Sequence, residues 1–430
     1  MAPYLGGNDT RFRSSRLSCS PNPNWELLWA RANIVERLVG RRSMEADKPW
    51  QPAPENTLLS LQHGINMFDG VEFDIRITAD RQLAIHHDRN VSLPKDRLEG
   101  RPSWAEQWTL DELTEVGFLG FEDLLEDPII RNHWAEQGKM GCIEIKRPHP
   151  KAPTGGGYFG RRHHIQHVAD AMKMAGDLLD AHEVPRENTV FYSFHRHMPQ
   201  SAKKSGTKRP WAALIPYIPP YGNKTFQRIK AFPTYLATPF GKLVNTHLRQ
   251  GSSMLPCAIE YFDGPTRSIP LGRHVSLNGK GLKRLTQVRN GMPTYVWPTR
   301  PLVEHDLIRA GLTALTDKAD PGLLWLPSGH LRWTQPGTRP LDESQWSTLE
   351  QATYENHREI HAELMETTPS WEQCDSTRRR LLIEEWKKRW SWSESIDDIL
   401  AQYDGATPPW SAPRMIGHRG SGKTSRPVLN

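Results

Sequence analysis

The sequence predicts an α/β fold in which short buried strands alternate with helices. Three observations carry this. Between residues 70 and 317, short runs of apolar, β-branched and aromatic residues recur, separated by stretches with helical spacing or turn residues. Two of these runs, 70–75 and 82–85, are joined by Thr78-Ala79-Asp80-Arg81, a connection so short that only an antiparallel hairpin fits. The chain has 430 residues, room for a domain of about 250 residues and an appendage.

Taken in order, residues 1–23 are rich in Ser, Pro, Gly and Asn and read as disordered. Asn24 can cap a helix over 25–39 that Gly40 would end. Pro54 stands just ahead of a helix over 55–66, and a strand follows at 70–75. The segment 109–125 reads as helical and leads to a strand from Met140 to Lys146, then a Pro/Gly-rich loop at 148–157. A helix over 162–182 carries His163 and His167 one turn apart, a spacing that can hold zinc, although no third ligand is in view. Strands are predicted at 189–194, 212–217, 257–262, 294–297 and 312–317, with a helix at 280–290. Residues 218–250 read as irregular, basic and aromatic (Pro219, Pro220, Tyr221, Lys224, Arg228, Lys230), either a substrate-shaping loop or a solvated cover. Beyond 330, the segments 341–366 and 376–403 read as charged helices bearing Trp346, Trp386, Trp390 and Trp392, packed on the main domain or presenting a surface for a protein partner or self-association. The domain reading is therefore 1–23 disordered, 24–330 the main α/β domain, 331–410 a Trp-rich helical appendage, and 411–430 a separate C-terminal piece.

The net charge of +6 and a pI near 9.1 suit an anionic substrate, and also nucleic acid or an acidic membrane surface. The only dense basic tract is Arg378-Arg379-Arg380, so no specific nucleic-acid partner is expected. The four cysteines lie far apart with no C-x-x-C pair, which argues against a zinc knuckle; Cys142 reads as a buried strand residue. The N-terminus has no apolar run and no stretch approaches 18 apolar residues, so neither a signal peptide nor a membrane span is expected, and the protein reads as soluble and cytoplasmic.

Chemistry concentrates in residues 54–88. Alternation puts Glu72 and Asp74 on one face of the 70–75 strand, and the hairpin brings His87 to the same end. Two acids and an imidazole there can serve a divalent cation with a proton-transfer group beside it. Two acids on one strand face are also the ordinary solvated side of a half-buried strand. Further along, Glu144 and Lys146 share a strand face.

The run PENT, then EFD, the T-x-D turn and the His-Asp pair resembles the glycerophosphodiester phosphodiesterase family. Glu144-Ile145-Lys146, Ser193-Phe194 and Thr316-Asp317 follow in family order, so the resemblance spans roughly 54–320. It implies a TIM (β/α)8 barrel, yet only seven barrel strands lie between 70 and 317, and closure takes eight. The family's first strand ends in His-Arg-Gly. Where it is expected stands Val39-Gly40-Arg41-Arg42-Ser43, which a helix with a glycine stop explains. The matching Ile416-Gly417-His418-Arg419-Gly420 lies instead near the C-terminus. Either the barrel is circularly permuted and the 411–430 piece supplies its first strand, or a truncated second barrel begins here; the first supplies both the missing strand and the missing histidine. Gly417 to Thr424 also fits the G-x4-G-K-[ST] phosphate loop, but that loop needs a long following helix, and Pro427 comes three residues on.

The resemblance implies that Glu72, Asp74 and Glu144 bind one divalent cation, Mg2+ or Ca2+, that Arg419 and Lys146 hold the substrate phosphate, and that His418 and His87 form an acid–base pair. The substrate would be a small phosphodiester. The attacking group would be water, a hydroxyl of the substrate, or a second alcohol. The last would make the protein a synthase similar to the agrocinopine synthases. An inactive barrel used for binding is the remaining alternative.

Overall fold

The computed structural model describes residues 50–91, 98, 100–152, 160–215, 225, 229, 233, 238–262 and 275–424. The disordered stretch expected over 1–23, the helix expected over 25–39, the Arg41 segment, and Pro219, Pro220, Tyr221, Lys224, Arg228 and Lys230 lie outside the described residues. The chain divides into two units, Met1–Trp50 and Gln51–Asn430, and all the elements described belong to the second.

Among the described residues, ten strands form one sheet: β1 (Gly70–Ile77), β2 (Leu83–Ile85), β3 (Leu119–Gly120), β4 (Met140–Ile145), β5 (Thr189–Ser193), β6 (Trp211–Ala213), β7 (Leu255–Ala258), β8 (Thr294–Thr299), β9 (Thr313–Thr316) and β10 (Met415–His418). Eight of them run parallel in the order β6-β5-β4-β1-β10-β9-β8-β7. The two ends approach at β6 and β7, where the Ser253 amide donates to the Trp211 carbonyl at 3.0 Å. This is a nearly closed eight-stranded parallel barrel with helices around it. β2 and β3 lie off the barrel, β2 pairing antiparallel with β1 as the short turn required.

β10 stands between β1 and β9, with Glu72 opposite His418 and Gly417 opposite Thr316. The segment near the C-terminus thus takes the place left open by the other seven barrel strands. Glycine permits its close approach to the helix Leu58–Met67: Gly420 has φ +85, and a Cβ on Gly64 would stand 2.6 Å from the Gly420 carbonyl.

All eight residues of β1 are buried, and alternation sorts them. Val71, Phe73 and Ile75 join Ile143, Ile145, Val168 and Met172 in the layer between sheet and helices. Glu72 and Asp74 face the barrel interior, 2% and 0% exposed. The solvated-face reading of these two acids is therefore overturned: both side chains are buried inside the barrel.

Interior residues nearer the strand starts (Met140, Cys142, Val190, Tyr295, Ile416) pack with Trp371, Trp386, Trp390, Trp392 and Trp410. The Trp-rich segment thus plugs the end of the barrel away from Glu144. Its tryptophans are buried and do not form an exposed face.

Several predicted boundaries move. The helix expected over 55–66 is Leu58–Met67, because Thr57 caps it while Glu55 and Asn56 turn away to bind other groups. The 109–125 helix is two, Leu110–Glu115 and Phe121–Glu126, divided by Gly117 at φ +92 and by β3. β7 ends at Ala258 and Ile259–Tyr261 is a 3-10 turn; β6 ends at Ala213. Phe240–Gln250, read as irregular, is a helix. The two long helices beyond 330 are four: Glu343–Glu350, His357–Thr367, Ser376–Trp390 and Ile396–Gln402. Local breaks of this kind come from capping and left-handed residues such as Ser391 (φ +54), which apolar periodicity does not register.

Candidate active site

The carboxyl ends of β1, β4, β9 and β10 bring the predicted residues together. Asp74 and Glu144 are direct neighbours across the β1–β4 ladder. Oxygens of Glu72, Asp74 and Glu144 lie within 4.8 Å of one another, and all three side chains are buried. Lys146, just past β4, places Nζ 2.8 Å from Asp74 Oδ1 and 2.5 Å from Glu144 Oε1.

β10 delivers the other half. His418 Nε2 is 3.6 Å from Glu72 Oε2, and its Nδ1 is 2.7 Å from Asp317 Oδ1, just after β9. The Arg419 amide donates to Glu72 Oε2 at 3.0 Å. Its guanidinium pairs with Glu55 Oε1 at 2.7 Å and lies 3.6 Å from Asp74 Oδ2. Asn56 Nδ2 donates to the same Asp74 oxygen at 2.9 Å. Arg419 (φ +54) and Asn56 (φ +62) are both left-handed, a conformation these interlocking contacts hold. His87 sits at the rim with a side chain 27% exposed, its Nδ1 3.1 Å from Asp88 Oδ1.

These contacts set the charges. Burial pushes the Glu72 carboxyl up to about 7, with the Asp74 charge adding to it and His418 opposing. Burial also raises Glu144, against the pull of Lys146. Burial would raise Asp74 as well, but Lys146, His87 and Arg419 outweigh it and hold it well below the usual carboxylate range. For His418, burial favours the neutral ring, while Glu72 and Asp317 favour the charged one and prevail, so its pKa is raised.

The donor set fits a hard divalent cation. Three carboxylates meet at one point, and the upward shift of Glu72, caused first by burial and then by the Asp74 charge, is one that such an ion would oppose.

The remaining candidates do not assemble. His163 is exposed on the outside of its helix while His167 is buried, and the only metal-type cluster among the described residues is the acidic trio. The phosphate-loop match fails too. The amides of Ser421, Lys423 and Thr424 donate to Ser60 Oγ, Asp317 and Glu55, so they are bound within the protein and not presented to a ligand. Sequence reasoning missed Asp317 as the partner of His418, Glu55 as the partner of Arg419, and Asn56 as a ligand of Asp74. Glu55, Asn56 and Asp317 all lay inside the matched motifs, which was the available signal.

Among the described residues, no helix is long and apolar enough to cross a membrane. No curated protein matches the chain. Solved structures are similar to it over most of their own length. A glycerophosphodiester phosphodiesterase from Thermotoga maritima aligns at 17% identity and TM-score 0.38, covering 61% of this chain and 88% of that one. A phosphodiesterase from Oleispira antarctica, solved with the product sn-glycerol-3-phosphate, aligns at 16% identity and TM-score 0.40, covering 61% and 87%. The model of the glycerophosphoryl diester phosphodiesterase family matches residues 42–154, the segment that holds Glu72, Asp74, His87, Glu144 and Lys146. Over that segment the chain is similar to the glycerophosphoryl diester phosphodiesterase family.

Proposed function

We propose that the protein hydrolyses a glycerophosphodiester to an alcohol and glycerol phosphate, with one divalent cation and two histidines at the mouth of the barrel. The observation that carries this reading is the meeting of His418 and Glu72 at 3.6 Å, from β10 and β1, beside the acidic trio. The same strand order supports a circularly permuted barrel with its first strand supplied from 415–418.

In this reading Glu72, Asp74 and Glu144 hold the cation, Mg2+ or Ca2+. Held there, such an ion would neutralise phosphate oxygens and lower the pKa of a hydroxyl. Arg419 and Lys146 take the remaining phosphate charge, Arg419 being fixed in place by Glu55. Asp317 orients the His418 ring through Nδ1 and leaves Nε2 facing the site. One histidine removes the proton of the attacking water and the other protonates the departing alkoxide. Each contributes about 10²–10⁴ in rate.

The test is turnover of glycerophosphocholine, glycerophosphoethanolamine and glycerophosphoinositol with Mg2+ or Ca2+, with products identified. The reading expects release of glycerol phosphate, slowed about 10²–10⁴-fold in His418→Ala. Transfer to an added alcohol with little hydrolysis would make the protein a synthase. No metal-dependent turnover of any diester would leave a binding protein.

A further inference from the structure

Arg76 lies on β1 two residues beyond Asp74 and on the same inward face, 3% exposed. It binds neither the acidic trio nor Arg419. Its Nη2 donates to the His87 carbonyl at 2.9 Å. Its Nη1 donates to Glu106 Oε1 at 2.7 Å and to the Arg147 carbonyl at 3.1 Å. Glu106 is itself buried, and its other oxygen accepts the His149 amide at 3.3 Å. One guanidinium therefore ties three separate pieces of the mouth: the hairpin end that carries His87, the turn Ala105–Gln107, and the loop that follows Lys146.

We propose that Arg76, held by Glu106, is a positioning residue for the proposed reaction, fixing the backbone under His87. This rests on the function proposed above. A planar fork with several donors can grip three acceptors at once; a lysine ammonium at that place cannot reproduce the geometry. The His87 Nδ1 contacts Asp88, its chain neighbour, which moves with the same backbone. The backbone that Arg76 holds thus carries both His87 and the Asp88 that its ring contacts. A buried ion pair placed only for stability needs no contact with these carbonyls, and isosteric replacement of both partners would leave such a pair nearly neutral.

The test uses the full chain with Arg76→Met combined with Glu106→Gln, which leaves no unpaired buried charge, alongside Arg76→Lys, His87→Ala, and the first pair combined with His87→Ala. On a glycerophosphodiester that the wild type turns over, kcat of the Arg76→Met/Glu106→Gln protein is expected to fall at least tenfold with KM within about twofold. Adding His87→Ala is expected to cost no more than His87→Ala alone, since residues acting as a unit are not additive. Arg76→Lys should recover part of the loss. Losses that multiply, or a change confined to KM, overturn the proposal. The His87 imidazole resonances, identified by their absence in His87→Ala, are a second readout that does not depend on turnover. They are expected to shift or broaden in the Arg76→Met/Glu106→Gln protein, and unchanged resonances overturn the proposal. A wild type without turnover would defeat the proposed function while the resonances still decide the role of Arg76.

Discussion

The two ends of the barrel interior are built from the same strands and opposite chemistry. Along β4, Met140 and Cys142 face a plug of five tryptophans, and two residues on Glu144 faces Asp74, Glu72 and Lys146. At the plugged end, contacts are apolar and non-directional, and burial itself stabilises. At the mouth, five carboxylates (Glu55, Glu72, Asp74, Glu144, Asp317) meet Lys146, Arg419 and His418 at fixed angles, and burial costs free energy. One end supplies the stability with which the other end's crowded charges are held, the usual division of labour between the two faces of this fold.

This contrast predicts which changes affect which property. The largest effect is on rate: His418→Ala is expected to lower kcat by about 10²–10⁴ while leaving cation affinity and thermal midpoint near wild type. Glu72→Gln should abolish both turnover and cation binding, and calorimetric titration separates the two variants. Next comes the plug. Trp371→Ala removes a fully buried indole and should destabilise by about 3–5 kcal/mol. Chemical denaturation would read this, and the surviving folded enzyme should keep its kcat. A comparable loss of kcat would break the division between the ends. A saturating cation is expected to stabilise by about 2.7 kcal/mol at a hundred times its Kd. Scanning calorimetry with and without chelator would detect this, and the increment should vanish in Glu72→Gln. The smallest effect belongs to neither end: Lys173→Ala breaks an exposed Lys173–Asp177 pair and should change stability by under about 0.5 kcal/mol.

The mouth was more legible in the sequence than the plug. Glu72, Asp74, Glu144, Lys146, His87, His418 and Arg419 all stand in short motifs that resemble those of the phosphodiesterase family, so they could be named without knowing the packing. Their partners were harder. Asp317 and Glu55 are single acids, and only the meeting of β9, β10 and the 55–57 turn makes them the mates of His418 and Arg419. The eighth strand was found as a motif out of order, and its place between β1 and β9 is set by long-range pairing that no local pattern encodes. At the other end, packing of the tryptophan-bearing helices on the barrel or on each other was the first reading, but the end they close was not visible. Charge-rich helices with scattered indoles read alike whether they plug a barrel or face a partner. The helix breaks at Gly117 and Ser391 arise from left-handed residues and caps, which periodicity does not detect.

The central claim is that the three acids at the mouth hold a divalent cation beside His418. Anomalous diffraction from a crystal soaked in Mn2+, standing in for Mg2+, tests it directly. The account predicts one strong peak among Glu72, Asp74 and Glu144, on the side facing His418, and its loss in Glu72→Gln. A crystal that takes up Mn2+ elsewhere, or not at all, while Lys146 remains between Asp74 and Glu144, would contradict it.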